Sequence, residues 1–133
     1  MAVKKILIVD DEEDIRRLVS EALKRNEGYS ISIAQDGLQA LAAAHEQKPD
    51  LVILDIRLPQ IDGSQVCRLL RFDATLSHIK ILMITGDAQN WDTQEALLVG
   101  ADAYLPKPFS VSALVKKVGE LLGGGAGDKE KEK

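Results

Sequence analysis

Polar side chains follow four short apolar runs in this sequence. Asp10 and Asp11 come after KILIV, Asp55 ends LVILD, Thr85 ends KILMIT, and Lys107 follows AYLP. The LVIL run is unbroken by polar residues, which is typical of a strand covered on both faces of a parallel sheet. Because ligands bind at the carboxyl edge of such a sheet, we expect these groups to converge there and to carry the chemistry.

This set of groups suits the transfer of a phosphoryl group to a carboxylate. Three carboxylates held together raise one another's pKa or bind a cation. We expect magnesium, because Mg²⁺ takes one or two carboxylates, several waters and a phosphate oxygen, whereas the dedicated loop of a Ca²⁺ site is absent from the sequence. The Lys107 ammonium and the Thr85 hydroxyl would neutralise and orient the transferred group, with Asp55 as nucleophile. The simpler alternative is that Asp55 only ends a strand and starts a turn.

Two other kinds of phosphate chemistry fit the sequence poorly. The GxxxxGK[ST] stretch of a nucleotide-binding P-loop does not occur in it. A phosphatase or mutase with an aspartyl nucleophile usually carries a second acid two positions later, where this chain has Arg57. A hydrolytic phosphotransferase that acts on small molecules is therefore a weak alternative.

Strand-like and helix-like patterns alternate along the chain about five times, which predicts an α/β fold with a parallel sheet between layers of helices. Apolar runs mark the strands, and apolar residues at i, i+3, i+4 and i+7 mark the helices. The predicted strands cover 5–9, 29–34, 51–55, 80–85 and 103–105, and the predicted helices cover 11–25, 37–46, 64–71, 88–99 and 110–122. The helical stripes place Leu18, Leu38, Leu69, Val111 and Val115 inward and Arg71 outward.

Length, composition and charge limit the number of domains, the binding partners and the expected location of the protein. The 133 residues, 45% of them hydrophobic, suit one domain with one core, which we place at residues 1–122. Residues 123–133 (GGGAGDKEKEK) should form a flexible tail or linker. The net charge of −4 argues against nucleic-acid binding by this domain, and the single cysteine excludes an internal disulfide. Because neither a signal peptide nor a membrane-spanning run is recognisable, we expect a cytoplasmic protein without membrane partners.

Four stretches together resemble the receiver domain of bacterial two-component response regulators. They are ILIVDDE near the start, LVILDIRLPQIDG in the middle, ILMITG, and GADAYLPKPF near the end, in the family's order and spacing. The resemblance implies a three-layer, flavodoxin-like (βα)5 fold whose five-stranded parallel sheet has the order 2-1-3-4-5, as in other doubly wound sheets of this type. It also implies a cis peptide bond between Lys107 and Pro108.

The resemblance further implies how the acids would act. Asp55 would be the phosphoacceptor and would also face the metal. Asp11 would contact Mg²⁺ directly and Asp10 largely through water. The backbone carbonyl of Arg57 would complete the protein's share of the metal shell.

A switch mechanism is implied as well. Lys107 would pair with the phosphoryl group, and Thr85 would move to hydrogen-bond it. Tyr104 would be the switch aromatic, which changes between outward and inward rotamers as Thr85 vacates space. The output face would consist of the predicted helix over 88–99, the last strand and the last helix, and the weak periodicity of 88–99 predicts that this helix is the element that moves.

In the family the phosphodonor is a phosphohistidine on a sensor histidine kinase or a histidine phosphotransfer protein. The receiver catalyses only its own phosphorylation and dephosphorylation, so we expect a signalling protein rather than an enzyme. A downstream target protein or a fused effector would read the output face, and many relatives form phosphorylation-dependent homodimers. The alternative function is a pseudo-receiver, an interaction module that keeps the fold without being regulated by phosphorylation.

Arg57 and Asp87 each lie two residues after a predicted site residue. We expect them to form a salt bridge at the mouth of the site, where it would partly cover Asp55 and slow the attack of water on the phosphoryl group. An exposed pair of this type contributes only about 0–1 kcal/mol to stability. Its effect should therefore come from shielding.

Overall fold

The computed structural model describes residues 3–86 and 99–123. In these ranges, five strands form one parallel sheet in the order β2-β1-β3-β4-β5. The predicted strand order is thus confirmed. The strands are β1 (Lys4–Val9), β2 (Tyr29–Ala34), β3 (Leu51–Asp55), β4 (Lys80–Thr85) and β5 (Ala103–Pro106).

Strand β3 lies in the centre of the sheet, and all five of its side chains are buried. Its even-numbered residues, Val52 and Leu54, belong to the core on one face, and Leu51 and Ile53 belong to the core on the other. This double coverage explains the unbroken apolar run, because neither face of the strand meets water. It also carries Asp55 to the carboxyl edge, beside the ends of β1 and β4.

Four helices in the described ranges cover the two faces of the sheet, giving the predicted three layers. Helices α1 (Glu13–Lys24) and α4 (Val111–Leu121) pack on one face. Helices α2 (Gly37–Gln47) and α3 (Gly63–Phe72) pack on the other. None of the helices in these ranges is long and apolar enough to cross a membrane. Apart from Val99, the predicted helix over 88–99 lies outside the described residues, and so do residues 124–133 of the predicted tail.

Side-chain caps fix where three of the helices begin. Asp36 accepts a hydrogen bond from the backbone of Gln39 at the start of α2, and Ser110 accepts one from Ala113 at the start of α4. At the start of α3, Asp62 and Gln65 form a reciprocal capping box. Each cap satisfies backbone N–H groups that the first turn of a helix leaves unpaired.

The predicted orientation of several helical side chains is wrong. In α3 the inward stripe consists of Val66, Cys67 and Leu70, which leaves Leu69 exposed. In α2 the small residues Ala40 and Ala44 face the sheet and allow a close approach of the helix. As a result, large side chains expected to face inward on these and other helices are exposed, namely Leu18, Leu38, Leu69, Val111 and Val115.

Arg71, expected to face outward, instead links α3 to two loops. Its guanidinium donates to the carbonyls of Ser77, Ile79 and Gly100, and its Nη2 lies 2.6 Å from Oδ2 of Asp102. The aliphatic part of the side chain packs where Gly100 has a positive φ of 103° and leaves room for it. Arg71 thereby fixes the chain that leads into β5.

Candidate functional site

The turn after β1 is pinned in place by three hydrogen bonds. Asp10 is fully buried, and its Oδ1 accepts a hydrogen bond of 2.9 Å from the backbone N–H of Glu12. Its carbonyl accepts one of 2.7 Å from the guanidinium of Arg16, a buried side chain of α1. Its own backbone N–H donates to the carbonyl of Ala34 in β2. The carboxylate of Asp10 is therefore held toward the carboxyl edge of the sheet.

Asp55 ends β3 and is only 2% exposed. Its Oδ1 accepts a hydrogen bond of 3.2 Å from the backbone N–H of Arg57, so the chain folds back over the carboxylate. The start of α3 packs directly beneath it, since a Cβ at Gly63 would collide with the carbonyl oxygen of Asp55. Glycine at position 63 is what allows the helix to begin this close to the strand end.

Lys107 reaches across the sheet edge and joins the two acids. Its Nζ lies 2.9 Å from Oδ2 of Asp10 and 3.2 Å from Oδ2 of Asp55. Its backbone N–H donates to the carbonyl of Thr85, which anchors the end of β5 to the end of β4. The peptide bond between Lys107 and Pro108 is cis, as the resemblance implied.

Four carboxylates gather at this edge. Ligand oxygens of Asp10, Asp11, Glu12 and Asp55 all lie within 4.8 Å of one another. The two aspartates of the sheet edge, Asp10 and Asp55, are buried, whereas Asp11 and Glu12 are exposed. A cluster of carboxylate oxygens that is open on one side fits Mg²⁺, which keeps several waters when it binds to protein.

A cleft of about 260 Å³ opens above these acids. It is lined by Glu12, Asp55, Arg57, Gly86 and Lys107. The phosphoacceptor candidate, the ammonium and part of the acidic cluster thus share one opening to solvent, large enough for a metal ion with its waters and a phosphoryl group.

The surroundings of Asp55 disfavour the charged form of its carboxylate. The pKa of Asp55 is raised from 3.8 to about 6, first because burial disfavours the charged carboxylate and next because Asp10 lies close. The ammonium of Lys107 and the N–H of Arg57 act in the opposite direction but do not cancel these effects. A bound divalent cation would relieve the remaining repulsion between the acids.

Lys107 has its pKa raised by the same contacts. Burial alone would lower the pKa of its ammonium, but the hydrogen bond to Asp10 and the attraction of Asp55 outweigh burial. Lys107 is therefore a permanent positive charge within the cleft at neutral pH.

The remaining predicted residues occupy separate places around the cleft. Thr85 is fully buried at the end of β4. Tyr104, in the edge strand β5, is half-buried and packs against the core on the α2–α3 face. Asp87, the expected partner of Arg57, lies outside the described residues.

The sequence patterns do not predict that Glu12 and Arg16 lie at the site. The predicted helix over 11–25 includes Glu12, but Glu12 precedes α1 as its N-cap and does not cap the helix through its side chain. Its Oε2 lies 3.6 Å from Nζ of Lys107. Arg16 has the polar character of an exposed helical face, yet it is buried against Asp10. The run Asp10-Asp11-Glu12 could have indicated that Glu12 lies at the site, because it directly follows two predicted metal ligands. The burial of Arg16 depends on its hydrogen bond to the backbone carbonyl of Asp10, which no sequence pattern indicates.

The amino-acid sequence of this chain is similar to those of known proteins. The sequence model of the response regulator receiver domain matches residues 6–119. Over 118 residues the chain is 45% identical to the alkaline phosphatase synthesis transcriptional regulatory protein PhoP of Bacillus subtilis, covering 86% of this chain and 48% of that protein. It is 42% identical over 118 residues to the DNA-binding dual master transcriptional regulator RpaA of Synechocystis, covering 89% of this chain and 48% of that protein. The chain thus spans about half the length of these curated relatives.

Solved structures share the fold. The chemotaxis protein CheY4 of Vibrio cholerae superposes with a TM-score of 0.82 at 34% identity, covering 90% of this chain and 99% of that one. A CheY-like response regulator receiver domain protein of Methanospirillum hungatei gives a TM-score of 0.83 at 32% identity, covering 92% and 95%.

Proposed function

Since this chain belongs to the response regulator receiver domain family of two-component systems, we propose that it is a phosphoacceptor switch in which Asp55 accepts a phosphoryl group in a Mg²⁺-dependent reaction. The observation that carries the proposal is the position of Lys107, whose Nζ bridges the carboxylates of Asp10 and Asp55 within an open cleft. A buried aspartate needs such a cation nearby if it is to bear still more negative charge.

In this proposal Asp10, Asp11 and Asp55, with the backbone carbonyl of Arg57, hold the metal ion. Their clustered oxygens match the preference of Mg²⁺ for hard ligands. When bound, the ion neutralises charge on the transferred phosphoryl group. Glu12, whose carboxylate joins the cluster, adds a further negative charge at its exposed rim.

Transfer begins with a phosphohistidine of a sensor histidine kinase or a histidine phosphotransfer protein in the cleft. A carboxylate oxygen of Asp55 attacks phosphorus, the P–N bond of the donor breaks as the P–O bond forms, and the imidazole nitrogen leaves with the electron pair. The Lys107 ammonium, already 3.2 Å from Asp55 Oδ2, stabilises the charge on the phosphoryl oxygens. Thr85 supplies a hydroxyl donor to one of them.

The phosphorylated site then changes the output face. Phosphorylation adds roughly 1.5–2 negative charges and three acceptor oxygens, which draw the Thr85 hydroxyl toward Asp55. Tyr104 follows into the vacated space and alters the proposed output face, which we assign to residues 88–99, β5 and α4. A downstream target protein or a fused effector reads this surface, with a phosphorylation-dependent homodimer as one form of output.

We assign this function to a domain of residues 1–122 that acts in the cytoplasm, followed by a tail or linker over 123–133. Apart from its own phosphorylation and dephosphorylation, it catalyses no reaction.

Incubation of the protein with Mg²⁺ and acetyl phosphate tests the proposal. Intact mass spectrometry should show the gain of one phosphoryl group, and the gain should disappear in Asp55→Asn and in the presence of a metal chelator. Absence of the adduct with acetyl phosphate, phosphoramidate and a phosphorylated kinase would instead support the pseudo-receiver, which keeps the fold as an interaction module.

A further inference from the structure

Glu12 places a carboxylate on the solvent side of the cleft above Asp55. Glu12 lines this cleft together with Lys107, and its side chain is 61% exposed, whereas the side chain of Asp55 is buried. Its Oε2 lies 3.6 Å from Nζ of Lys107, and one of its carboxylate oxygens lies within 4.8 Å of an oxygen of Asp55. The negative charge of Glu12 is therefore close to any group that enters the cleft to react with Asp55.

The fold does not require a carboxylate at position 12. Glu12 precedes α1 as its N-cap, but its side chain accepts no capping hydrogen bond from the helix. Its contact with the ammonium of Lys107 is also longer than those of Asp10 and Asp55, which lie at 2.9 Å and 3.2 Å. Because an exposed ion pair of this kind contributes little to stability, the charge of Glu12 is available to act on a molecule that enters the cleft.

Transfer to Asp55 directs the leaving group of the phosphodonor toward the mouth of the cleft. The attacking oxygen, the phosphorus and the leaving atom lie roughly in line in this reaction. Since Asp55 is buried and Glu12 is exposed, the leaving atom lies on the side of the cleft where Glu12 is. A carboxylate at this place attracts a protonated nitrogen and repels an anionic oxygen.

Phosphodonors differ in the charge of that leaving group. Phosphoramidate and a phosphohistidine with a protonated ring break a P–N bond, and the nitrogen takes the electron pair and leaves as a neutral amine or imidazole. Acetyl phosphate breaks a P–O bond and releases a carboxylate anion. Near neutral pH phosphoramidate is a monoanion, because its nitrogen is protonated, whereas acetyl phosphate is a dianion. Glu12 thus lies where the two classes of donor differ most in charge.

We propose that Glu12 determines the donor specificity of this site, because its carboxylate favours phosphodonors whose leaving group is a protonated nitrogen over acyl phosphates. This inference rests on the proposed function, since it concerns transfer to Asp55. One charge at about 4–8 Å, in a cleft that is partly open to water, changes the relative rates for two such donors by about threefold to tenfold.

Phosphorylation of the parent and of Glu12→Gln by phosphoramidate and by acetyl phosphate tests the proposal. Second-order rate constants are measured by intact mass spectrometry at pH 7, with Mg²⁺ saturating each protein. The ratio of the phosphoramidate constant to the acetyl phosphate constant should fall about threefold to tenfold in Glu12→Gln. It should stay near that of the parent in Glu12→Asp, which keeps the charge. The difference between the parent and Glu12→Gln should shrink in about 1 M salt, where the Debye length is about 3 Å.

Glu13→Gln is the matched control for the loss of one negative charge. Glu13 pairs with Arg17 on α1 at 3.0 Å and does not line the cleft, so this variant should keep the ratio of the parent. An unchanged ratio in Glu12→Gln, or an equal fall in Glu13→Gln, would overturn the proposal. So would an equal change of both rate constants, which would mean that Glu12 only positions Lys107 or the metal. If neither donor phosphorylates the parent, the proposed function fails together with this inference.

Discussion

Nζ of Lys107 lies 3.2 Å from Oδ2 of Asp55, although 52 residues separate the two in sequence. The side chain extends from the end of the edge strand β5, past the end of β4, to the central strand β3. It continues to Asp10 at the end of β1, so one ammonium contacts acids from two strands. A carboxylate otherwise disfavoured by burial thereby remains available for chemistry.

The raised pKa of Asp55 predicts a pH-dependent stability. The folded chain binds the proton of the Asp55 carboxyl more tightly than the unfolded chain does. The folded state therefore loses stability as pH rises from about 3.8 to about 6, and this loss of stability persists at higher pH. Asp55→Asn removes the ionisation. In metal-free buffer at pH 7.5 we expect it to stabilise the protein by about 1–3 kcal/mol, and the gain should shrink as pH falls through this window.

Urea unfolding of both proteins between pH 4 and pH 8 provides the measurement. Asp73→Asn is the control, because hydrogen bonds from Thr75 lower the pKa of Asp73 below 3.8, so the contribution of its carboxylate is almost fully present from pH 4 upward and the effect of this variant should stay nearly constant over the range. A stabilisation by Asp55→Asn that does not change with pH would argue that removal of the buried Asp55 charge is not its cause.

The acidic cluster predicts a Mg²⁺ affinity that depends on particular carboxylates. Asp11→Asn should weaken Mg²⁺ binding about tenfold or more, because it removes a charged oxygen ligand from a site with few protein ligands. Asp14→Asn is the matched control, since Asp14 is an exposed acid of α1 outside the cluster. Isothermal titration calorimetry of the unphosphorylated protein checks both. An equal loss of Mg²⁺ affinity in the two variants would indicate a general effect of net charge instead of the loss of a metal ligand.

Arg57 tests whether the mouth of the cleft controls the lifetime of the phosphoryl group. Arg57 lines the cleft beside Asp55, so Arg57→Ala should admit water more readily and speed autodephosphorylation several-fold. Arg57→Lys, which keeps a long charged side chain there, should lie closer to the parent. The decay of the phosphorylated protein can be timed by intact mass spectrometry after removal of the donor. Identical decay rates would refute shielding by this residue.

The contacts of Arg71 predict a large effect on stability. Arg71→Ala should destabilise the fold by about 2–4 kcal/mol, since it leaves several backbone carbonyls without their donor and removes the ion pair with Asp102. Arg68→Ala, three residues earlier on the exposed side of α3, should change the free energy of unfolding by less than about 0.5 kcal/mol. Chemical denaturation of the three proteins provides the comparison.

The sequence predicts those parts of the molecule that composition and strand order determine. A run such as LVILD is apolar on both faces, so it predicts a central strand with Asp55 at its end, and the bounds of β3 are as expected. The meeting of Asp10, Asp55 and Lys107 follows from the parallel order of the strands.

The side chains that the sequence misplaces are those whose surroundings come from distant parts of the chain. Arg71 faces carbonyls of the loop after α3 and of the turn at Gly100, and the positions of those carbonyls are set by tertiary packing. Leu38 and Leu69 fit the apolar period of a helix, but smaller neighbours occupy the inner faces of α2 and α3. Periodicity predicts that a helix has an apolar stripe, but it does not predict which side of the helix faces the sheet.

Trapping the acyl phosphate tests the central claim most directly. After incubation with Mg²⁺ and acetyl phosphate, borohydride reduces an aspartyl phosphate to homoserine, which peptide sequencing by mass spectrometry locates. We predict homoserine at position 55, with much less in Lys107→Ala because the bridging ammonium is lost. Homoserine at position 10 or 11 instead, or none at all while the folded protein binds Mg²⁺, would contradict the assignment of Asp55 as the phosphoacceptor.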